Sequence, residues 1–236
     1  MSPDQGHSKS LKAYALKLKH QLGEKLYKRR IQKDLICEVK RRLENDKPVK
    51  LVVGAGSSIE LVAPPGNVHE GWILTDHSTL NALDPDDWAR VFEPGIISRI
   101  FAEHVIEHWT TEGLKTFLHI VRRYLNKQGN LRIAVPDGYH PDQSYIEAVM
   151  PGGTGPGSDD HKVLYNYQTL TAIFSSENWE YDLLEYFDEK HKFHSKSWNR
   201  ADGFIERAEH TDPRNVERPL AYTSLILDAH PLDSGQ

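Results

Sequence analysis

The sequence predicts an α/β fold: a doubly wound, mostly parallel sheet with helices on both faces, preceded by a helical arm. Three observations predict it. Short apolar runs alternate with helical stripes from Val49 onward. Four of those runs end in glycine or an acidic residue, at Gly54, Asp76, Glu103 and Asp137. Ahead of them, residues 10–44 carry an apolar residue about every four positions, the spacing of one helix face.

Taken in order, residues 1–8 read as a disordered start. The stripe over 10–44 changes phase between Leu26 and Ile31, and Gly23 weakens it, so two helices or one kinked helix are expected. Asn45-Asp46-Lys47-Pro48 breaks the helix, because proline cannot continue it and biases its predecessor towards extended backbone. Strands follow at about 50–53 and 72–75. Between them Pro64-Pro65-Gly66 forbids a long helix. A helical turn is expected over 85–92 and a strand over 98–102. Thr111 is placed to cap a helix whose inner face is Leu114, Phe117, Leu118, Val121 and Leu125, with Gly129 offering left-handed backbone at its end. Asn130 to Val135 is a strand running into Pro136-Asp137-Gly138. Residues 151–160 are loop and 166–177 helix, with Leu170, Ile173 and Phe174 inward. Two last strands are expected at about 179–187 and 220–228. The polar, His-rich stretch 188–218 between them is long for a connection, and such stretches are usually functional or disordered.

At 236 residues the chain has room for one domain and an appendage. We divide it into a basic helical arm, 1–47, and a domain, 48–236. No apolar run approaches the ~18 residues of a membrane span, and the start has no signal-like apolar region. Cys37 is the only cysteine, so no intrachain disulfide forms, which fits a cytoplasmic location. Residues 9–47 carry 13 Lys/Arg against 5 Asp/Glu, whereas 48–236 carry 16 against 28. Such an arm suits docking on its own acidic domain or on a second copy, making a homo-oligomer. An anionic partner or a membrane surface is the other reading. Membrane attachment needs a wider apolar face than Leu11, Ala15, Leu18 and Leu22 provide. A nucleic-acid partner is not expected.

Ligands of open parallel sheets bind at the carboxyl ends of the strands, where the four run ends fall. Gly54-Ala55-Gly56 after an apolar strand lets backbone approach a ligand, and Asp76 arrives one strand later, as suits a ribose. His104-Val105-Ile106-Glu107-His108 admits two readings. His-x-x-Glu-His on a helix is an inverted zinc-protease pattern, with two histidines facing one metal. That metal needs a third ligand, and only two convincing ones are present, so no metal site is expected. The plainer reading is histidines bonded to nearby backbone. His161 follows a glycine-rich loop and is either a contact reaching over the pocket or a surface residue holding the loop. His191-x-x-His194 also lacks a third ligand. Trp72 and Trp109 read as packing.

Several blocks resemble one family. Gly71-Trp72-Ile73-Leu74-Thr75-Asp76, His104-Val105-Ile106-Glu107-His108, Tyr124 to Asp137 with its Arg132-Ile133-Ala134-Val135-Pro136-Asp137, and the Pro/Gly loop running into His161-Lys162 are similar to class I S-adenosylmethionine-dependent methyltransferases. The likeness is closest to a subset with a His-Val-Leu-Glu-His motif. It covers about residues 48–187, more loosely the C-terminus, and not the arm. It implies a Rossmann-like fold with S-adenosylmethionine as cofactor. Gly54, Ala55 and Gly56 would lie against the methionine part and Asp76 on the ribose. Leu83 to Trp88 would flank the adenine, and Glu103 and His104 would floor the sulfonium. The chain departs from the family at Val52, often acidic, at Ser58, often glycine, and at Pro64-Pro65, where a helix is usual.

The resemblance implies methyl transfer to a small polar acceptor, and relatives of this kind suggest O-methylation of a saccharide or related metabolite. His104, His108 and His161 are the leading candidates to take an acceptor's proton, ahead of Asp137 and His140, because imidazole titrates near neutrality. A binding or scaffolding protein on a degenerate methyltransferase fold is the alternative, motivated by the altered glycine motif. A nicotinamide dehydrogenase is disfavoured, because Ile59 stands where that fingerprint wants a small residue.

Overall fold

A computed structural model of the protein describes residues 27–56 and 60–232. The expected helix break near Gly23 and the stripe up to Leu26 lie outside these residues. From 27 to 44 the arm is one unbroken helix, α1. It is followed by β1 (Val49–Val53), β2 (Ile73–Thr75), α2 (Pro85–Val91), β3 (Ile97–Glu103), α3 (Thr111–Tyr124), β4 (Leu125–Pro136), α4 (Gln143–Val149), α5 (Tyr167–Ser176), β5 (Trp179–Phe187), β6 (Phe193–Ser195) and β7 (Ser224–Pro231).

The seven strands form one sheet in the order β2-β1-β3-β4-β7-β5-β6. The first four are parallel, and β7 runs antiparallel to both β4 and β5. The mostly parallel order is Rossmann-like as expected, but among the described residues α1, α2, α3 and α5 pack their buried apolar side chains on one face of the sheet, not on both. From β1 the chain steps to β2 on one side and then crosses to β3 on the other. The direction of winding therefore reverses between β1 and β3.

Residue alternation splits the sheet into two faces. Leu51, Val53, Ile73, Ile100, Ala102, Leu131, Ile133, Leu225 and Leu227 share one buried cluster with Leu35 and Val39 of α1, Trp88 and Val91 of α2, Leu114 to Val121 of α3, and Leu170 and Phe174 of α5. Val52, Phe101, Ala134, Leu184 and Ile226 face the other way. None of the buried apolar residues of that second cluster comes from an α-helix. They meet Trp198, Ile205 and Ala208 of the connection between β6 and β7.

That connection is ordered among the described residues, because buried polar groups pin it. Arg132 pairs with Asp228 through two 2.7 Å bonds and donates to the carbonyls of Asn199 and Gly203. Glu185 accepts from Glu209 N, Thr223 Oγ1 and Trp198 Nε1. Arg42, at the end of α1, donates to Pro48 O and Gly71 O, tying the arm to the residues just ahead of β1 and β2.

Three expectations need correction. Thr110, not Thr111, caps α3, accepting from Gly113 N. Gly129 is not left-handed: strand geometry begins at Leu125, straight after α3. Glycine is still required at 129, because a Cβ would fall 2.7 Å from Leu125 Cδ2 and 2.9 Å from Asn126 O. The last strand is shifted to 224–231, since residues 213–222 form turns.

Candidate functional site

The glycine turn sits where winding reverses, at the carboxyl end of β1. Gly54 and Gly56 both take left-handed backbone, with φ of 73° and 72°, which glycine adopts without penalty. Ala55 N donates to Thr75 O at 2.9 Å, so the turn is held to the end of β2. A cavity of about 380 Å³ opens beside it, lined by Gly54, Ala55, His69, Phe101, Glu103 and Arg207 among others. A smaller one of about 90 Å³ adjoins it through Ala55 and is lined by Gly56, Thr75 and Asp76, with Ile31 and Asp34 of α1.

Asp76 uses one carboxylate oxygen locally. Oδ1 accepts from Ser78 N, Ser78 Oγ and Thr79 N at 2.7–3.1 Å. No described residue bonds to Oδ2. The turn therefore orients the carboxylate and leaves one oxygen for a ligand. His69 lies between Trp72 and Phe101, and burial pulls its imidazole down to about 4, so it is neutral.

The structure separates the other expected cofactor contacts. Trp88 is 0 % exposed and packs among Phe92, Phe117 and Tyr124, so it is core and cannot flank an adenine. Leu83 is half-buried near Gly113 at the start of α3 and lines neither cavity. Glu103 lines the larger cavity, but its carboxylate is engaged. It accepts from Arg207 N at 2.7 Å and Glu206 N at 3.2 Å. Burial raises its pKa, and these amides oppose the rise.

One residue further on the chain enters a different environment. His104 has a φ of 54°, a costly conformation for a non-glycine residue. His104 N donates to Ala134 O, and Nε2 stands 3.1 Å from Ser224 Oγ. Burial first, then the charges of Arg207 and neighbouring groups, hold its imidazole well below the usual range. A single 3-10 turn, Ile106–His108, follows instead of a longer helix. His104 and His108 therefore do not share a helix face, which removes the geometry that the inverted zinc pattern requires.

The fold instead brings His161 to the motif. Lys162 N and Val163 N both donate to Glu107 O, laying the segment after the glycine-rich loop against the turn. Glu107 is 1 % exposed, and neither of its carboxylate oxygens has a hydrogen-bond partner. His104 Nδ1 stands 3.3 Å from Oε1 without bonding alignment, and His161 Nε2 stands 4.0 Å from it. Burial pushes the Glu107 carboxyl up to about 8. The His108 ring meets the His161 ring edge-on at 4.7 Å, and burial lowers the His108 pKa. All three expected histidines are thus gathered around one acid. Sequence spacing alone does not show this gathering around Glu107, although the motif contains the acid.

Other candidates are structural. Asp137 is fully buried and accepts from Phe187 N and Tyr139 N. His140 stacks on Tyr145 and bonds to Leu220 O and Asp142 N. His191 turns to Tyr139 O and His194 to Asp188, so they do not converge on one ion. No described helix is long and apolar enough to cross a membrane.

No protein-family model matches the chain, and no curated protein does. Solved structures do. The chain is similar to a SAM-dependent methyltransferase from Archaeoglobus fulgidus, at 14% identity and TM-score 0.38, over 84% of this chain and 92% of that one. It is similar to the YcgJ protein of Bacillus subtilis, at 11% and 0.42, over 84% and 99%. A third is a Burkholderia thailandensis 1,6-didemethyltoxoflavin-N1-methyltransferase bound to its substrate and S-adenosylhomocysteine, at 11% and 0.41, over 99% and 92%.

Proposed function

We propose that the protein is an S-adenosylmethionine-dependent methyltransferase acting on a small polar acceptor, by O-methylation of a saccharide or related metabolite. The observation that carries this reading is the cavity of about 380 Å³ where winding reverses, with the glycine turn on its wall and the oriented Asp76 carboxylate next to it. A ligand with a ribose and a charged amino-acid end fits those groups: Asp76 Oδ2 accepts from a ribose hydroxyl, and the left-handed turn at Gly54 to Gly56 allows close backbone approach. Bound there, the cofactor supplies an electrophilic methyl group.

The protein's work is then alignment, exclusion of water and handling of the acceptor proton. His104 follows Glu103, a residue of the cavity wall, and in this reading its neutral imidazole takes the acceptor's proton. His108, whose side chain is 30 % exposed, stands between that buried cluster and solvent. His161 meets the buried acid Glu107.

Calorimetry tests the reading. S-adenosylhomocysteine should bind and NAD should not. Asp76→Ala should weaken S-adenosylhomocysteine at least about tenfold, since a charge-assisted hydrogen bond contributes about 1.5–3 kcal/mol. Absence of binding to the intact protein overturns the reading in favour of a scaffold. Unchanged affinity in folded Asp76→Ala removes Asp76 from the site.

A further inference from the structure

Glu107 is the one buried carboxylate among the described residues with both oxygens unpartnered. Uncompensated burial of this kind is costly, and the surroundings show what would relieve it. One ligand atom from each of Glu107, His108 and His161 lies within 4.8 Å of the others.

His161 is oriented from behind by a backbone carbonyl, and His108 has a carboxylate near one ring nitrogen. His161 Nδ1 stands 2.7 Å from Val149 O, which fixes the proton on Nδ1 and leaves Nε2 as a bare lone pair towards Glu107. His108 Nδ1 stands 3.5 Å from Asp160 Oδ2, and no described residue bonds to its other ring nitrogen. An oxygen behind one ring nitrogen and a free lone pair on the other is how metal-binding histidines are held. The acid is fixed as well, because its backbone carbonyl receives both Lys162 N and Val163 N.

We propose that Glu107, His108 and His161 bind a divalent transition-metal ion of zinc's ligand preference, leaving a further position for water or an acceptor oxygen. Two histidines and one carboxylate are a donor set that zinc accepts at about 2.0–2.2 Å. Tetrahedral ligands at that length lie about 3.4 Å apart, so the 4.0 Å between His161 Nε2 and Glu107 Oε1 closes slightly on binding. His104 Nδ1 stands 3.3 Å from the same carboxylate oxygen, Oε1. The assignment needs only these side chains and stands apart from the methyl-transfer reading. With His108 and His161 on a metal, His104 is the histidine left to move protons.

The test uses the untagged 236-residue chain, stripped with chelator and titrated with Zn²⁺ by calorimetry, with Co²⁺ as a spectroscopic probe. One equivalent should bind saturably, and Co²⁺ should give the intense visible absorption of a low-coordinate site. Glu107→Gln and His161→Ala should each weaken Zn²⁺ at least tenfold with circular dichroism unchanged, while His210→Ala, on the surface, should bind as the parent does. Should His161→Ala not fold, His108→Ala takes its place, its side chain being partly exposed. No saturable binding to the parent chain, or unchanged Zn²⁺ affinity in folded Glu107→Gln and His108→Ala, overturns the proposal.

Discussion

The two faces of the sheet are covered by different physics. One is sealed by α1, α2, α3 and α5 through apolar side chains, with Leu35, Trp88, Phe117, Leu170 and Phe174 fully buried. The other carries a small apolar cluster and an irregular cover tied down by Arg132, Glu185 and Glu103. Non-directional burial tolerates repacking, whereas a buried ion depends on each of its partners. The larger cavity lies on the second face, walled by Phe101, Glu103 and Arg207. The candidate site is therefore shaped by polar bonds more than by close packing.

Removing a whole cover gives the largest effect. A chain beginning at Pro48 loses Leu35, Val39 and the Arg42 bonds. Each core deletion of this kind costs about 2–5 kcal/mol for Leu and somewhat less for Val. We expect a loss of at least about 4 kcal/mol, read as a large fall in urea midpoint. Light scattering on the same samples reports whether the arm also sets association. An unchanged midpoint would show that α1 does not seal its face.

Breaking one ion pair on the second face comes next. Arg132→Ala leaves Asp228 uncompensated and frees the carbonyls of Asn199 and Gly203. The expected cost is about 3–5 kcal/mol, with proteolysis newly directed to residues 196–212. A loss below about 1 kcal/mol, or no new cleavage there, would mean that the cover does not depend on this ion.

The smallest effect probes Asp137, which ties the end of β4 to β5. Burial raises its carboxyl from 3.8 to about 6, against the pull of the Phe187 and Tyr139 amides. A raised folded value means that the native state holds the proton more tightly. Its contribution is fully present below pH about 4 and is lost as pH rises through about 6. The difference amounts to about 3 kcal/mol at most. Chemical denaturation between pH 4.5 and 7 should show this decline in the parent and a flatter profile in Asp137→Asn. Identical slopes would exclude Asp137 as its source.

The same contrast explains what the sequence discloses. The helix-covered face writes itself as periodic apolar residues, so α3, α5, β1, β3 and β5 are legible to within a residue or two. The second cover has no period. Trp198, Ile205 and Ala208 are scattered through polar sequence, and Arg132 and Glu185 sit inside runs that read simply as strand. The glycine turn and Asp76 are legible because backbone conformation and local turns are encoded locally. Trp88 was misplaced because a tryptophan at an expected pocket edge and one in the core look alike in sequence. His161 meets Glu107 across 54 residues through backbone bonds, and no spacing rule announces such a meeting.

Gly54 has a consequence beyond its own turn. A Cβ there would overlap Val105 Cγ2, and Val105 stands between His104 and the Ile106–His108 turn. A methyl group at 54 therefore pushes on the segment bearing Glu107 and His108. The two positions compete for one volume, and a larger residue at 54 would also be strained by the left-handed backbone there. Enlarging residue 54 to reshape the pocket therefore also presses on Val105, in the segment that carries the histidines.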